Sequence, residues 1–162
     1  MTDEDVEALL EAQRRSYERA GKALRRSWPP EDALDADELR GILADLVYGV
    51  LATARPDGRA HASPVAFSVE GGAFWIATVL GLRVRSLRAV PWASFVLSEG
   101  QREGAHRALT AEGPVRLHED ADFASARARL ADDWARRHGH APDWASAFVE
   151  LRPERVFSHR SR

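Results

Sequence analysis

The spacing of apolar residues divides the chain into a helical N-terminal part and a strand-rich remainder. Over residues 3–26, apolar positions recur about every 3.6 residues between charged ones, which predicts an amphipathic helix. A second helix is predicted over residues 35–45, where Asp35 or Asp37 can cap the first free backbone N–H groups. The apolar positions of these two helices are Val6, Leu9, Leu10 and Tyr17, followed by Leu39, Ile42, Leu43 and Leu46.

From residue 48 onwards, short runs of β-type residues are separated by turn residues. The segment Arg55–Arg59 (RPDGR) contains an Asp-Gly pair, which is a strong hairpin signal. Pro64 predicts an edge, a bulge, or a backbone nitrogen that points away from the ladder, because proline has no N–H to donate. A further bulge is predicted at Gly113–Pro114. The predicted strands cover residues 48–54, 60–69, 73–78, 92–98, 106–119, 148–151 and 155–159.

Two further helices are predicted among these strands, over residues 82–89 and 121–137, and a loop is predicted at Gln101–Gly104. Hairpins followed by a long returning strand, with helices at the ends, are typical of a closed antiparallel sheet. The pattern therefore predicts an α+β fold built on an antiparallel barrel of about six strands, and not a doubly wound parallel sheet.

Composition narrows the classes of function. The chain has 162 residues, a net charge of −2 and no cysteine. This length suits one domain, and the charge gives no reason to expect nucleic acid or an anionic membrane as a partner. The lack of cysteine excludes disulfides and thiolate nucleophiles, and no segment approaches the roughly 20 apolar residues of a membrane span. We expect a cytoplasmic protein with no metal site, no membrane contact and no bound nucleic acid.

The stretch TVLGLRVRSLRAVP, residues 78–91, is the first candidate site. A glycine follows a strand and precedes a helix whose free N–H groups form a ready anion site. Arg83 and Ser86 are three residues apart and could share a phosphate, the guanidinium as a fork and the hydroxyl as a donor. Residues 79–98 contain no Asp or Glu, so an external anion is one interpretation. Solvated arginines, or salt bridges to acids elsewhere in the chain, are the other.

The stretch HASPVAF, residues 61–67, is the second candidate. Ser63 is a small polar residue whose neighbours in the strand are apolar, and Pro64 frees the ladder locally, so a flat aromatic ligand could lie against this backbone. An edge strand protected by proline explains the same residues. His138 and His140 are close enough in sequence for metal ligands, but their surroundings favour a solvated loop. Dinucleotide-binding and P-loop glycine motifs are absent from the sequence.

Three blocks taken in order resemble the pyridoxamine-5′-phosphate-oxidase-like family of flavin-binding split β-barrels. They are VYGVLATARPDGRAHASPVAF, AFWIATVLGLRVRSLRAVPWASFVLSEG and ALTAEGPVRLHED, and together they span roughly residues 39–120. The resemblance implies a split-barrel domain over residues 35–162, with an N-terminal helical extension over residues 1–34. It also implies a homodimer with FMN between the subunits. Some relatives use the deazaflavin F420 and some bind haem.

The resemblance also implies a set of cofactor contacts. The family often has Arg and Lys on the phosphate after the third strand. The sequence can be aligned with these two basic positions in two ways. Leu82 occupies one of the positions in the first alignment, and Val84 does so in the second. Arg83 occupies the other position in both. Arg85 or Arg88 could compensate for the missing cation. The implied cofactor-binding residues are His61, Ala62, Ser63, Pro64, Val65 and Ala66 beside the ring and ribityl chain, Ala77 and Thr78 on the third strand, and Arg83, Arg85 and Ser86 near the phosphate.

The function that follows from this resemblance is an FMN- or F420-dependent oxidoreductase acting on a small organic substrate. No side chain is predicted as a nucleophile, because the cofactor carries the redox chemistry. The alternative is a non-catalytic split barrel that binds a cofactor or haem. The tail Arg155–His159 lacks the family's Arg-x-His motif for the substrate phosphate, so pyridoxal-phosphate synthesis is not expected.

Overall fold

The computed structural model describes residues 1–100 and 106–161, so the predicted loop at Gln101–Gly104 lies outside the described residues. The helices of the described part are α1 Asp3–Arg19, α2 Lys22–Ser27, α3 Ala36–Asp45, α4 Leu82–Ala89 and α5 Asp120–His138. The strands are β1 Tyr48–Ala54, β2 Ala60–Glu70, β3 Ala73–Thr78, β4 Trp92–Glu99, β5 His106–His118, β6 Ala147–Leu151 and β7 Arg155–Ser161. A 3₁₀ turn covers Pro30–Asp32. None of the described helices is both long and apolar enough to cross a bilayer.

Six of the strands close into an antiparallel barrel, which confirms the predicted fold class. The order is β4–β1–β2–β3–β6–β5, and pairing of β4 with β5 completes the ring. One edge of β5 has two partners. Its first half pairs with the seventh strand, β7, and its second half pairs with β6. All of these pairings are antiparallel, as expected for strands joined by hairpins and returning connections.

The barrel is split between β2 and β3. Residues 60–66 of β2 pair with β1, whereas residues 67–70 pair with β3. At the far end of β3, Ala77 and Thr78 pair with β6 and not with β2. The edge of β2 around Pro64 therefore has no neighbouring strand on this side, in agreement with the edge that this proline predicts. The two strands diverge and leave an opening in the barrel wall.

Two apolar clusters lie on opposite faces of the sheet, because successive side chains of a strand point to opposite sides. The barrel interior holds Phe67, Phe74 and Phe95, whose ring centroids are 4.9–6.0 Å apart. The second cluster lies between the outer face of β3 and β6 and the amphipathic helix α5. It includes Trp75, Phe148, Leu130 and Trp134. This packing fixes the position of α5 beside the split.

The N-terminal segment packs against the last strand. Helix α1 ends at Arg19 and not at residue 26, and Arg25 of α2 donates to the backbone carbonyl groups at the end of α1. The Oγ of Ser158 on β7 donates to the side chain of Gln13, and Gln13 donates to the carbonyl of Leu34 at 2.9 Å. Tyr17 donates to the carbonyl of Ser158 at 2.7 Å. These bonds cover the outer edge of β7.

The predicted bulge at Gly113–Pro114 is wrong. These residues stay in register with Ala93 and Trp92 of β4, and β5 is continuous. The feature at this position is instead a change of partner on the other edge, from β7 to β6. The glycine is required by close packing, because a Cβ at residue 113 would lie 2.1 Å from the carbonyl oxygen of Arg152.

Candidate functional site

The side chain of Arg83 reaches into the split. Gly81 precedes α4, and Arg83 is the second residue of that helix. Its Nη1 donates to Oγ1 of Thr78 on β3 at 2.7 Å, and its Nη2 donates to Oγ of Ser63 on β2 at 2.6 Å. One guanidinium thus joins two strands at the place where they no longer pair with each other.

The charge of Arg83 has no carboxylate partner among the described residues. Its Nε is buried and makes no hydrogen bond within residues 1–100 and 106–161. Burial lowers the pKa of the guanidinium, which is the direction expected when a cation is removed from water without a counter-charge. Hydrogen bonds to two neutral hydroxyl groups replace the lost hydration of the cation only in part, so the position is suited to an anionic ligand.

A pocket of about 330 Å³ lies in the split, between β2, β3 and the C-terminal end of α5. Five of the predicted cofactor-binding residues line it. These are Pro64, Val65, Ala66, Ala77 and Arg83. The structure therefore brings together the two candidate stretches, which are separated by ten residues in the sequence.

The first residues of β2 lie beyond this pocket. His61 is half-buried, and its Nδ1 has no hydrogen-bond partner in the described part of the chain. Ala62 is exposed, and Ser63 is held by Arg83. Thr78 is buried and acts on the site through Arg83 as well. Ser63 and Thr78 thus position the guanidinium and do not themselves line the pocket.

Ser86 does not share the pocket with Arg83. It lies on the face of α4 that packs against the barrel, where it is wholly buried with an unpartnered Oγ within the described ranges. The expected phosphate pair of Arg83 and Ser86 is therefore not formed at the pocket. The long side chain of Arg83 reaches the split from the first turn of the helix, whereas the short side chain of Ser86 cannot.

The other two arginines of α4 differ from each other. Arg88 pairs with Glu119, 2.6 Å from Nη2 to Oε1, which raises the pKa of the guanidinium. An acid 31 residues further along thus supplies the partner that the local sequence lacks. Arg85 is exposed and makes no ion pair with any residue of the described ranges. It does not line the pocket, so the structure does not bring this predicted cofactor-binding residue together with Arg83.

Several pocket residues were not predicted. His138 and His140 line the pocket; His138 lies in α5, which corrects the prediction of a solvated loop for this residue, whereas His140 is exposed beyond the end of the helix. His138 is half-buried at the end of α5, and its ring lies 4.4 Å from that of Trp134. The spacing of four residues between these two rings was the available signal, because such residues share one face of a helix. The remaining unpredicted residues of the lining are Tyr48, Trp134 and Trp144.

Known structures show the same fold. A conserved hypothetical protein from Mycobacterium tuberculosis, Rv2991, matches with a TM-score of 0.69 and 23% identity over 82% of this chain and 88% of that one. A FAD-binding protein from Mesorhizobium loti matches with a TM-score of 0.62 and 18% identity, over 80% and 97% of the two chains. HutZ, the haem storage protein of Vibrio cholerae, matches with a TM-score of 0.61 and 18% identity, over 76% and 93%.

Sequence comparison identifies the family. None of the curated proteins matches the chain. A family model described as pyridoxamine 5′-phosphate oxidase matches residues 36–160. The match extends the resemblance seen in the sequence blocks from about half of the chain to all of the barrel strands and α5. The chain therefore belongs to the pyridoxamine 5′-phosphate oxidase family.

Proposed function

We propose that this protein is a flavin-dependent oxidoreductase that binds FMN in the split of the barrel and acts on a small organic substrate, with F420 as the alternative cofactor. The observation that carries the proposal is the guanidinium of Arg83, which is partly buried, held by two hydroxyl groups and without a carboxylate partner among the described residues. An anionic group such as the FMN phosphate would complete this site. The family relationship supports the choice of a flavin.

The residues of the split fit such a cofactor. The open edge of β2 at Pro64–Ala66 offers backbone groups and a flat surface to a ring, and Arg83 lies at the same pocket for the phosphate. The bound flavin would supply the electron-transfer chemistry, while the chain orients it and keeps water from one face. A cytoplasmic location is part of this proposal and is supported by the absence of cysteine.

A second copy of the chain is proposed to complete the site. The outer face of β1 and β2 carries Tyr48, Val50 and Ala52 opposite Ala66, Pro64 and Ala62, with no charged residue among them. Tyr48 is 63% exposed and Val50 41% exposed, although a solvated sheet face ordinarily carries polar residues. Tyr48, Pro64 and Ala66 also line the pocket, so a copy packed on this face would close it.

The substitution Val50→Arg is expected to convert the dimer to monomers, because it places a charge opposite Pro64 in the centre of this face. Sedimentation velocity at several concentrations measures the change. Ala124→Arg, on the exposed side of α5, adds the same charge elsewhere and serves as the control. A dimer that persists in Val50→Arg with unchanged affinity would place the interface on another surface.

The test of the proposed cofactor is the absorbance spectrum and the mass of the ligand that accompanies the purified protein. Flavin, deazaflavin and haem differ in both. Protein that is colourless, and that shows no spectral change when FMN or F420 is added, contradicts the proposal. Reduction of the bound flavin by a nicotinamide donor, followed by turnover of an acceptor, distinguishes an oxidoreductase from a carrier.

The alternative function is a non-catalytic split barrel that binds a cofactor or haem. It is favoured by Arg83 being the single Arg or Lys among the described residues that line the pocket, where the family often has two cations, and by the structural similarity to a haem storage protein. This alternative predicts ligand binding without reduction or turnover. A Soret band in the spectrum of the purified protein would favour haem over flavin.

A further inference from the structure

The last turn of α5 forms one wall of the pocket. Trp134 and His138 both line it, and their rings lie 4.4 Å apart because residues separated by four positions stack along one helix face. Trp134 is wholly buried, whereas His138 is half-buried. Neither side chain is explained by the phosphate site at Arg83. Both rings carry nitrogen atoms that can form hydrogen bonds with a ligand.

The hydrogen bond of His138 fixes its tautomer. Its Nε2 lies 3.0 Å from the carbonyl oxygen of Phe67, and because a carbonyl oxygen only accepts, Nε2 carries the proton. In the neutral ring, Nδ1 is therefore an acceptor, and it has no hydrogen-bond partner in the described ranges. Burial lowers the pKa of His138 and outweighs the hydrogen bond to Phe67, which raises it; the charges of Arg137 and His140 act with burial, and that of Asp133 against it. The ring is thus neutral at pH 7.

Trp134 contributes the opposite kind of group. Its Nε1–H can only donate, is buried, and finds no acceptor among residues 1–100 and 106–161. Buried polar groups without partners are rare in folded proteins, because each loses its hydrogen bond to water without replacement. An acceptor atom on a ligand would satisfy this donor. The helix therefore presents a free acceptor and an unsatisfied donor on adjacent turns.

We propose that Nδ1 of His138 and Nε1–H of Trp134 together recognise the imide or lactam edge of a planar ring, where an N–H donor adjoins a carbonyl acceptor. This inference rests on the proposed function, because a flavin or deazaflavin carries such an edge. The edge lies on the pyrimidine part of the ring, at the N3–H and its neighbouring carbonyl oxygens. A ring-shaped substrate could carry the same edge. The chemistry required of the ligand is identical in both cases.

The test compares FMN with N3-methyl-FMN, in which the imide donor is blocked. Titrations follow flavin fluorescence for the wild-type protein and for the His138→Phe, Trp134→Phe and His140→Phe variants. Methylation is expected to weaken binding to the wild type by about tenfold, the loss from leaving a polar group unpaired. The penalty should vanish in His138→Phe and persist in the control His140→Phe, which removes an exposed imidazole from the same pocket.

A pH series gives an independent measurement. Protonation of His138 turns Nδ1 into a donor that opposes the imide N–H, so wild-type affinity for riboflavin, which has no phosphate to titrate, is expected to fall at a pH below the ordinary histidine pKa of about 6.5. The affinity of His138→Phe should not change over this range. The melting temperature of each variant identifies a failure to fold, and His138→Phe carries the test if Trp134→Phe is unstable.

Lumiflavin and N3-methyl-lumiflavin, which lack the ribityl phosphate, separate the possible sources of the edge. A methylation penalty for FMN itself assigns the edge to the cofactor. If N3-methylation weakens binding only for lumiflavin added to FMN-loaded protein, and not for FMN itself, the recognised edge belongs to a substrate. If FMN fails to bind but lumiflavin binds with the penalty, the inference stands and the proposed function fails. Equal affinities for each methylated pair, or no binding of any of the four molecules, overturn the inference.

Discussion

Replacing Arg83 with alanine is expected to weaken FMN binding by roughly 10- to 100-fold, the value of about 1.5–3 kcal/mol for a hydrogen bond to a charged group. The reason is geometric as well as electrostatic. Ser63 and Thr78 hold the guanidinium at the opening of the split, so the cation is already in place before the ligand arrives. Arg83→Lys should lie between the wild type and Arg83→Ala, since an ammonium keeps the charge but loses the planar fork.

Two controls make this prediction specific to the phosphate. Arg88 lies on the same helix and is already paired with Glu119. The affinity of the Arg88→Ala variant for FMN should therefore stay within about twofold of the wild type. Riboflavin has no phosphate, so its affinity should be the same for Arg83→Ala and the wild type. Equal losses for FMN and riboflavin would show that Arg83 shapes the pocket without binding the phosphate.

The substitution Gly113→Ala is expected to lower the free energy of unfolding by about 3 kcal/mol, near the upper end of the usual cost of overpacking. A Cβ at this position would lie 2.1 Å from the carbonyl oxygen of Arg152 and 3.0 Å from the backbone nitrogen of Glu154. Neither backbone atom can move freely, because the turn that carries them is hydrogen-bonded to β5 on both sides of residue 113. We expect a fall in melting temperature of about 10 °C.

Thermal and urea unfolding measure this loss, and Gly21→Ala is the matched control. A Cβ at residue 21 has no atom within 4 Å, so this variant should differ from the wild type by less than about 1 kcal/mol. If the two variants were equally stable, the edge of β5 would tolerate a side chain. The change of partner from β7 to β6 would then not depend on the close approach at Gly113.

Local sequence patterns predicted the secondary structure well. Runs of β-type residues between turn residues predicted the seven strands of the described part of the chain, and Asp35 caps α3 with a reciprocal bond from Glu38. These features depend on residues within one turn of helix or one strand length of each other, so a single sequence contains the information. The error at Gly113 falls where a distant segment, which carries Arg152 and Glu154, decides the local geometry. The end of α1 has a local signal that was missed, because Gly21 follows it as the N-cap of α2.

The candidate site was predicted in part. Pro64–Ala66, Ala77 and Arg83 meet at one pocket, but the partners of Arg83 and the role of α5 were not foreseen. His138 looked like part of a loop because its hydrogen-bond acceptor, Phe67, lies 71 residues earlier in the chain. No pattern within the helix indicates which strand its last turn will meet.

The sequence by itself determined the elements of this protein: where strands alternate with turns, where α4 begins, and that a helix with no local acid carries three arginines. Only the tertiary structure decided what those side chains do, since it joins Arg88 to Glu119 and leaves Arg83 at the split with two hydroxyl groups. The physical reason is that backbone conformation follows from neighbours along the chain, whereas the partner of a charge follows from strand pairing and packing between segments far apart in sequence.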